Sequence, residues 1–264
     1  MGIRPVWRLR GQTDDEVVPA VPVSHEASAV PPVSEAPARE RPRVERKPLV
    51  IAPLQPAQAE ARPAELVSGQ DSVASMDWDA LEASIRACTR CGLHRQRKQA
   101  VPGVGDRSAK WLFVGEGPGA EEDAKGEPFV GAAGKLLDAM LAAMGKRRGE
   151  DVYIANAVKC RPPGNRTPEP EEIRACLPFL HRQIELLKPG MIMALGRPAA
   201  QSLLEREIKI GPARGKRFDF KGIPVVVSYH PAYLLRTPAD KARAWEDMCF
   251  ASSLAESGGA SSAD

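Results

Sequence analysis

Four short apolar runs, each followed by a stretch of helical spacing, restrict this chain more than any other feature. They are 111–115 (WLFVG), 152–158 (VYIANAV), 191–196 (MIMALG) and 225–230 (VVVSYH). Short runs without polar alternation read as strands buried on both faces, and parallel strands need long crossovers, usually helices. The intervening segments supply them: GKLLDAMLAAMG, PEEIRACLPFLHRQIELLK and RPAAQSLLE, with KARAWEDMCFASSLAE closing the series. The expected fold is therefore α/β, three layers α/β/α around a central four-stranded parallel sheet. Such sheets bind ligands outside the carboxyl ends of their strands. The unusual residues gather there: GEGPG after the first strand, Asn156 and Cys160 in and after the second, and HPAYLLR after the fourth.

Proline sets the domain boundary. Eleven of the 25 prolines, Pro5 to Pro63, precede Met76. A Pro/Ala-rich segment without helical period cannot bury enough apolar surface to offset its ordering entropy. Residues 1–75 are thus expected to be a disordered extension, 76–255 the working domain and 256–264 a frayed tail. Val6, Trp7 and Leu9 read either as an incidental apolar start or as a peptide that binds a protein partner or packs on the working domain. After Asp77, Trp78, Leu81 and Ile85 recur at helical spacing. The net charge of +3 tolerates a nucleic-acid partner without requiring one. No apolar run approaches the roughly 18 residues of a membrane span, and the first residues carry no secretory pattern. The expectation is a cytoplasmic protein with reduced thiols.

Cys88 and Cys91 form a C-x-x-C on the first helix; Cys160 and Cys176 follow near the second strand. Four thiolates in two groups suit a zinc ion or an iron–sulfur cluster, and spacing does not choose between them. Cys249, in the last helical pattern, reads as a buried small hydrophobe.

Gly115-Glu116-Gly117-Pro118-Gly119-Ala120 matches a loose dinucleotide-binding pattern. Pro118 removes a backbone donor where phosphate would sit, and Asn156 stands where that fold needs an acidic residue. Glu116 instead suits a carboxylate meeting a small ligand, or is a solvated loop charge. Phe129 could stack on a planar ligand or plug the core. Asn156 sets one acceptor beside one donor, the pattern that pairs with a base edge, unless it satisfies backbone. His230 could donate to an oxygen turning anionic, or be a satisfied core histidine. Leu234, Leu235 and Arg236 could be apolar wedges and a phosphate-binding cation, or simple helix packing.

Taken in order, CTRCGL, GEGPGAEED, GEPFVGAAGKLLD, NAVKCRPPGNRTP, Cys176 and SYHPAYLLR resemble the uracil-DNA glycosylase superfamily, specifically its type-4, iron–sulfur branch. Gly117 suits that branch. The subgroup that crosslinks to DNA has Gln there and a basic loop with a catalytic His, whereas RPPGNRTPEPEEIRA has none. The resemblance implies a uracil-DNA glycosylase-like fold and a monofunctional hydrolase acting on uracil-containing DNA in base excision repair, as a monomer. It implies a [4Fe-4S] cluster on Cys88, Cys91, Cys160 and Cys176. Phe129 would stack on uracil, Asn156 would read its amide edge, and the Gly117 backbone would help hold the base. His230 would bond O2, and Glu116 would orient water or steady the sugar cation. Leu234, Leu235 and Arg236 would serve as wedge and phosphate contact. The other reading is a catalytically weak DNA-binding or damage-sensing protein on the same fold.

Overall fold

A computed structural model of the chain describes residues 73–259. The expectations for the N-terminal extension up to residue 72, including Val6, Trp7 and Leu9, and for 260–264 lie outside the described residues.

One sheet organises the domain. Strands β2 (Trp111–Gly115), β3 (Val152–Asn156), β4 (Met191–Leu195) and β6 (Ile223–Ser228) are its parallel centre. The expectation of a four-stranded parallel sheet needs correction, because β1 (Val104–Gly105) and β5 (Arg217–Phe220) add antiparallel edges. The six-stranded order is β1-β3-β2-β4-β6-β5, a mixed sheet. Strand β1 is too short to carry a period. Strand β5 is half exposed and joins β6 through a tight turn. Lys221 and Gly222 both have positive φ, 50° and 87°, and the Gly222 N–H donates to Asp219. That is the two-residue hairpin connection whose twist matches the strands it joins.

The centre is apolar on both faces, and alternate residues divide between two cores. Leu112, Val114, Ile192, Ala194, Val225 and Val227 face one side with Leu180, Ile184 and Leu203. Phe113, Ile154, Met193 and Val226 face the other with Leu137, Leu141 and Met248. The first set meets α4 (Pro170–Leu187) and α5 (Arg197–Leu204); the second meets α3 (Ala132–Ala143) and α8 (Lys241–Gly259). Helix α1 (Trp78–Ala87) begins at Asp77, whose carboxylate accepts from the Ala80 N–H at 2.9 Å. Its Leu81 and Ile85 pack on Phe179 of α4. Order begins before Met76, with Val73 buried in that cluster, and α8 continues past residue 255.

Two details differ from expectation. Cys88 and Cys91 follow α1 rather than lying on it; Cys88 closes the helix and Cys91 opens a 3-10 turn. Cys249 is exposed. The buried stripe of α8 runs through Ala244, Asp247, Met248 and Ala251, and a 3.6-residue period turns Cys249 away from it.

The remaining helices are α2 (Ala120–Lys125), α6 (Ile210–Ala213) and α7 (Pro231–Arg236). From β2 the chain moves to β3 on one side, and from β4 to β6 on the other. This reversal opens a crevice at the carboxyl edge, the usual ligand position in such sheets. Among the described residues no helix is long and apolar enough to cross a membrane.

Candidate active site

A cleft of about 640 Å³ opens at that edge, lined from the ends of all four central strands. It brings together Glu116 and Gly117 after β2, Asn156 at the end of β3, His230 after β6, and Phe129 from the loop before α3.

Phe129 is held in a conformation its sequence does not favour. Its φ is 55°, the left-handed region that an aromatic residue enters at a cost of about 1–3 kcal/mol. Arg148 donates to the carbonyls of Pro128 and Phe129, both at 2.9 Å, while bonded to Asp138 at 2.8 Å. From the other side Glu122 accepts from the N–H groups of Val130, at 2.9 Å, and Gly131, at 3.1 Å. Two glycines make room: a Cβ on Gly115 would meet the Phe129 ring at 2.5 Å, and one on Gly134 would lie 1.7 Å from the Phe129 carbonyl oxygen. The ring is thereby laid on the His230 imidazole, centroids 5.3 Å apart and planes 27° from parallel.

Gly134→Ala should therefore be disruptive. The clash is with backbone, so expelling Phe129 from its position should cost about 1–3 kcal/mol or more. A thermal melt should fall by roughly 2–4 °C for each kcal/mol. Gly211→Ala is the control, since its added methyl meets nothing within 4 Å. Equal melting of the two variants would refute this account of the loop.

Asn156 is 2% exposed, and its Oδ1 has no hydrogen-bond partner. A buried, unpartnered carbonyl aimed at a cleft is a vacancy for a donor. His230 caps α7, its Nδ1 accepting from the Ala232 N–H at 3.2 Å. An accepting Nδ1 leaves the proton on Nε2, so the ring is a neutral donor. Burial lowers its pKa to about 4, aided by the Arg236 charge and opposed by Glu122. Burial raises the Glu116 carboxyl above its usual range, against a Thr167 hydroxyl and the guanidiniums of Arg197 and Arg236. The cleft thus offers an amide edge, a neutral imidazole donor, a carboxylate and an aromatic face.

Of the three α7 residues, the structure separates two leucines. Leu234 is fully buried and cannot act as a wedge in this arrangement; Leu235 is 42% exposed. Arg236 lies on the cleft rim.

The four cysteines meet in a second, smaller cavity with Lys159 and Phe179. Cys160 and Cys176 are buried, Cys88 and Cys91 half-buried. Two of the thiols receive donors: Arg97 Nη1 reaches Cys160 Sγ at 2.9 Å and the Arg90 N–H reaches Cys88 Sγ at 3.5 Å. Burial pushes the Cys176 thiol up to about 12. Keeping such a group ionised takes compensating positive charge. Four cysteine thiols gathered in one cavity are a donor set that an iron–sulfur group fits.

Sequence reasoning missed the supports. Thr167, Arg197 and Tyr229 line the cleft, and Glu122 and Arg148 pin Phe129. Only Glu122 left a local signal, standing three residues after Gly119, where it accepts from the Gly119 N–H.

Comparison with known proteins agrees with this geometry. The model of the uracil DNA glycosylase superfamily matches residues 102–249. A type-4 uracil-DNA glycosylase of Pyrobaculum aerophilum is 48% identical, the match covering 66% of this chain and 93% of that protein. Those of Archaeoglobus fulgidus and Thermotoga maritima are 49% and 48% identical, over 61% and 60% of this chain and 84% and 83% of theirs.

Proposed function

The chain belongs to the uracil DNA glycosylase superfamily and to its type-4 branch, and from that membership we propose that it excises uracil from DNA, leaving free uracil and an abasic site. The observation that carries the reading is the unpartnered Asn156 Oδ1 in the same cleft as a neutral histidine and a pinned aromatic ring.

A base inside a duplex cannot reach this cleft, so the nucleotide is flipped out at a cost of roughly a few kcal/mol. Leu235 fills the gap it leaves, and Arg236 holds a phosphate. Phe129 stacks on the extruded ring, and the Gly117 backbone helps hold it. Asn156 accepts from N3–H through Oδ1 and donates to O4 through Nδ2. Cytosine presents the wrong pattern there, leaving a buried group unpaired at about 1–3 kcal/mol. As the glycosidic bond lengthens, negative charge grows on O2 and positive charge on the sugar. The His230 Nε2–H donates to O2, a bond stronger in the transition state than in the ground state. Glu116 steadies the sugar cation and orients the water that adds to C1′. When bound, a [4Fe-4S] cluster on Cys88, Cys91, Cys160 and Cys176 supplies a rigid anionic anchor, since hydrolysis moves no net electrons. The protein works in the cytoplasm as a monomer, its N-terminal extension open to a protein partner.

The test uses a labelled oligonucleotide with one uracil, treated with alkali after incubation, beside a thymine control. Cleavage at uracil alone is expected; an intact uracil strand from cluster-loaded protein would overturn the reading. Leu235→Ala should slow excision from duplex DNA by about tenfold and from single strands far less, because a single strand has little stacking to break. Equal slowing on both would remove the wedge role.

A further inference from the structure

Between the cysteine cavity and the cleft lies a lysine that neither the reaction nor the cluster has yet used. Lys159 is 1% exposed. Its Nζ donates to the backbone carbonyl of Asn156 at 2.8 Å and to Gln183 Oε1 at 2.6 Å. Gln183, also fully buried, is held in turn, donating to the Pro102 carbonyl at 2.8 Å. No carboxylate pairs with Lys159 among the described residues. Buried charges are otherwise found paired or beside a metal. The one source of negative charge at hand is the cysteine group, whose cavity Lys159 lines. Cys160 is its chain neighbour, and Cys176 lines the same cavity.

We propose that Lys159 is a positioning residue for base reading: its ammonium, balanced by the thiolates of the cysteine centre and bonded to the Asn156 carbonyl, fixes the orientation in which the Asn156 amide meets the uracil edge. Asn156 is the last residue of β3, and the peptide that follows it is held on two sides: the Ala157 N–H donates to the Gly115 carbonyl at 2.9 Å, and Lys159 Nζ donates to the Asn156 carbonyl. Beyond it the backbone departs toward Cys160, and a misturned carbonyl would rotate the side chain that follows from the same Cα. The ammonium holds the carbonyl side of that peptide, opposite the bond its N–H makes to Gly115. The charge that makes this arrangement affordable in a buried site comes from the cysteine centre, which is thereby coupled to base recognition without touching the base.

The inference rests on the assignment of Asn156 as the base reader, so the experiment is a double-mutant cycle on the full, cluster-loaded chain. Lys159→Met removes the ammonium while keeping the length of the side chain. Two probes are titrated: free uracil, and an oligonucleotide carrying a stable abasic analogue, which has no base edge. Lys159→Met should bind free uracil about tenfold more weakly, roughly the worth of one hydrogen bond. Its affinity for the abasic oligonucleotide and its iron content should match the parent. In an Asn156→Ala background, Lys159→Met should weaken uracil binding no further. Parallel losses on both probes, loss of iron, or the same uracil loss in both backgrounds would make Lys159 merely structural. Unchanged uracil binding would also overturn the proposal. If Asn156→Ala alone leaves uracil binding intact, the base-reading assignment itself falls. Should Lys159→Met not fold, Gln183→Met runs the same cycle with the ammonium retained but one of its two anchors removed, and the same coupling to Asn156 is required.

Discussion

His230→Phe should lower kcat on a uracil-containing oligonucleotide by roughly 10²–10³-fold, the usual loss when one donor to a developing oxyanion is removed. Phenylalanine keeps a ring to lie against Phe129, so most of the packing survives. The Nε2–H does not, and neither does the Nδ1 acceptor that caps α7. Losing the cap should cost about 1 kcal/mol of stability, far less than the catalytic loss. Affinity for the substrate strand should change little, because the lost bond matures only as charge reaches O2. Single-turnover kinetics separate the two quantities, and a near-parental rate would remove His230 from the chemistry. The pH dependence has a definite sign. The folded-state pKa of His230 is lowered to about 4 from 6.5, so the neutral ring is the favoured form. Its contribution to stability is full above pH 6.5 and is lost as pH falls through about 4. His230 should therefore contribute no activity transition near pH 6.5. Burial of Glu116 should move the acid limb upward from where a free carboxylate would put it.

Asn156→Ala is expected to act in opposite directions on stability and on catalysis. In the unliganded protein Oδ1 already sits buried without a partner, a penalty of about 1–3 kcal/mol. Deleting the amide removes that penalty at the expense of a small cavity, so the melting temperature should hold or rise. Uracil loses two hydrogen bonds to the edge of its ring. At about 1.5–2 kcal/mol each in a desolvated site, kcat/KM should fall roughly 10²–10³-fold. Discrimination against cytosine should shrink as well, since the mismatch at that edge disappears. A variant that melts well below the parent would show Asn156 to be a structural amide. One that keeps its rate would show that the base is read elsewhere.

The parallel centre was legible because each of its strands is buried on both faces and so stands out as an unbroken apolar run. WLFVG became Trp111–Gly115 without adjustment. VYIANAV was read too long: the strand ends at Asn156, although the N–H groups of Ala157 and Val158 still bond to Gly115 and Glu116 and the chain stays buried to Cys160. Burial and strand pairing are separate conditions, and hydrophobicity reports only the first. Edge strands escaped for the converse reason: Arg217–Phe220 pairs without being deeply buried. In the cleft, residues whose chemistry is odd for their place were visible, as Asn156 is in an apolar strand. Arg148 was not, because it reaches the Phe129 carbonyl from the far side of α3, and no local pattern announces such a partner. Leu234 and Leu235 could be told apart only by seeing which face of α7 meets the core.

The reversal of strand order at the cleft carries a consequence for biosynthesis. Glu116, Asn156, Arg197 and His230 come from the ends of β2, β3, β4 and β6, and the last of these follows the other three in the chain. Contacts so far apart in sequence form late and slowly. A nascent chain emerging from the ribosome holds Phe129 and Asn156 long before it holds His230. Base capture and bond cleavage are thus withheld until the final central strand docks.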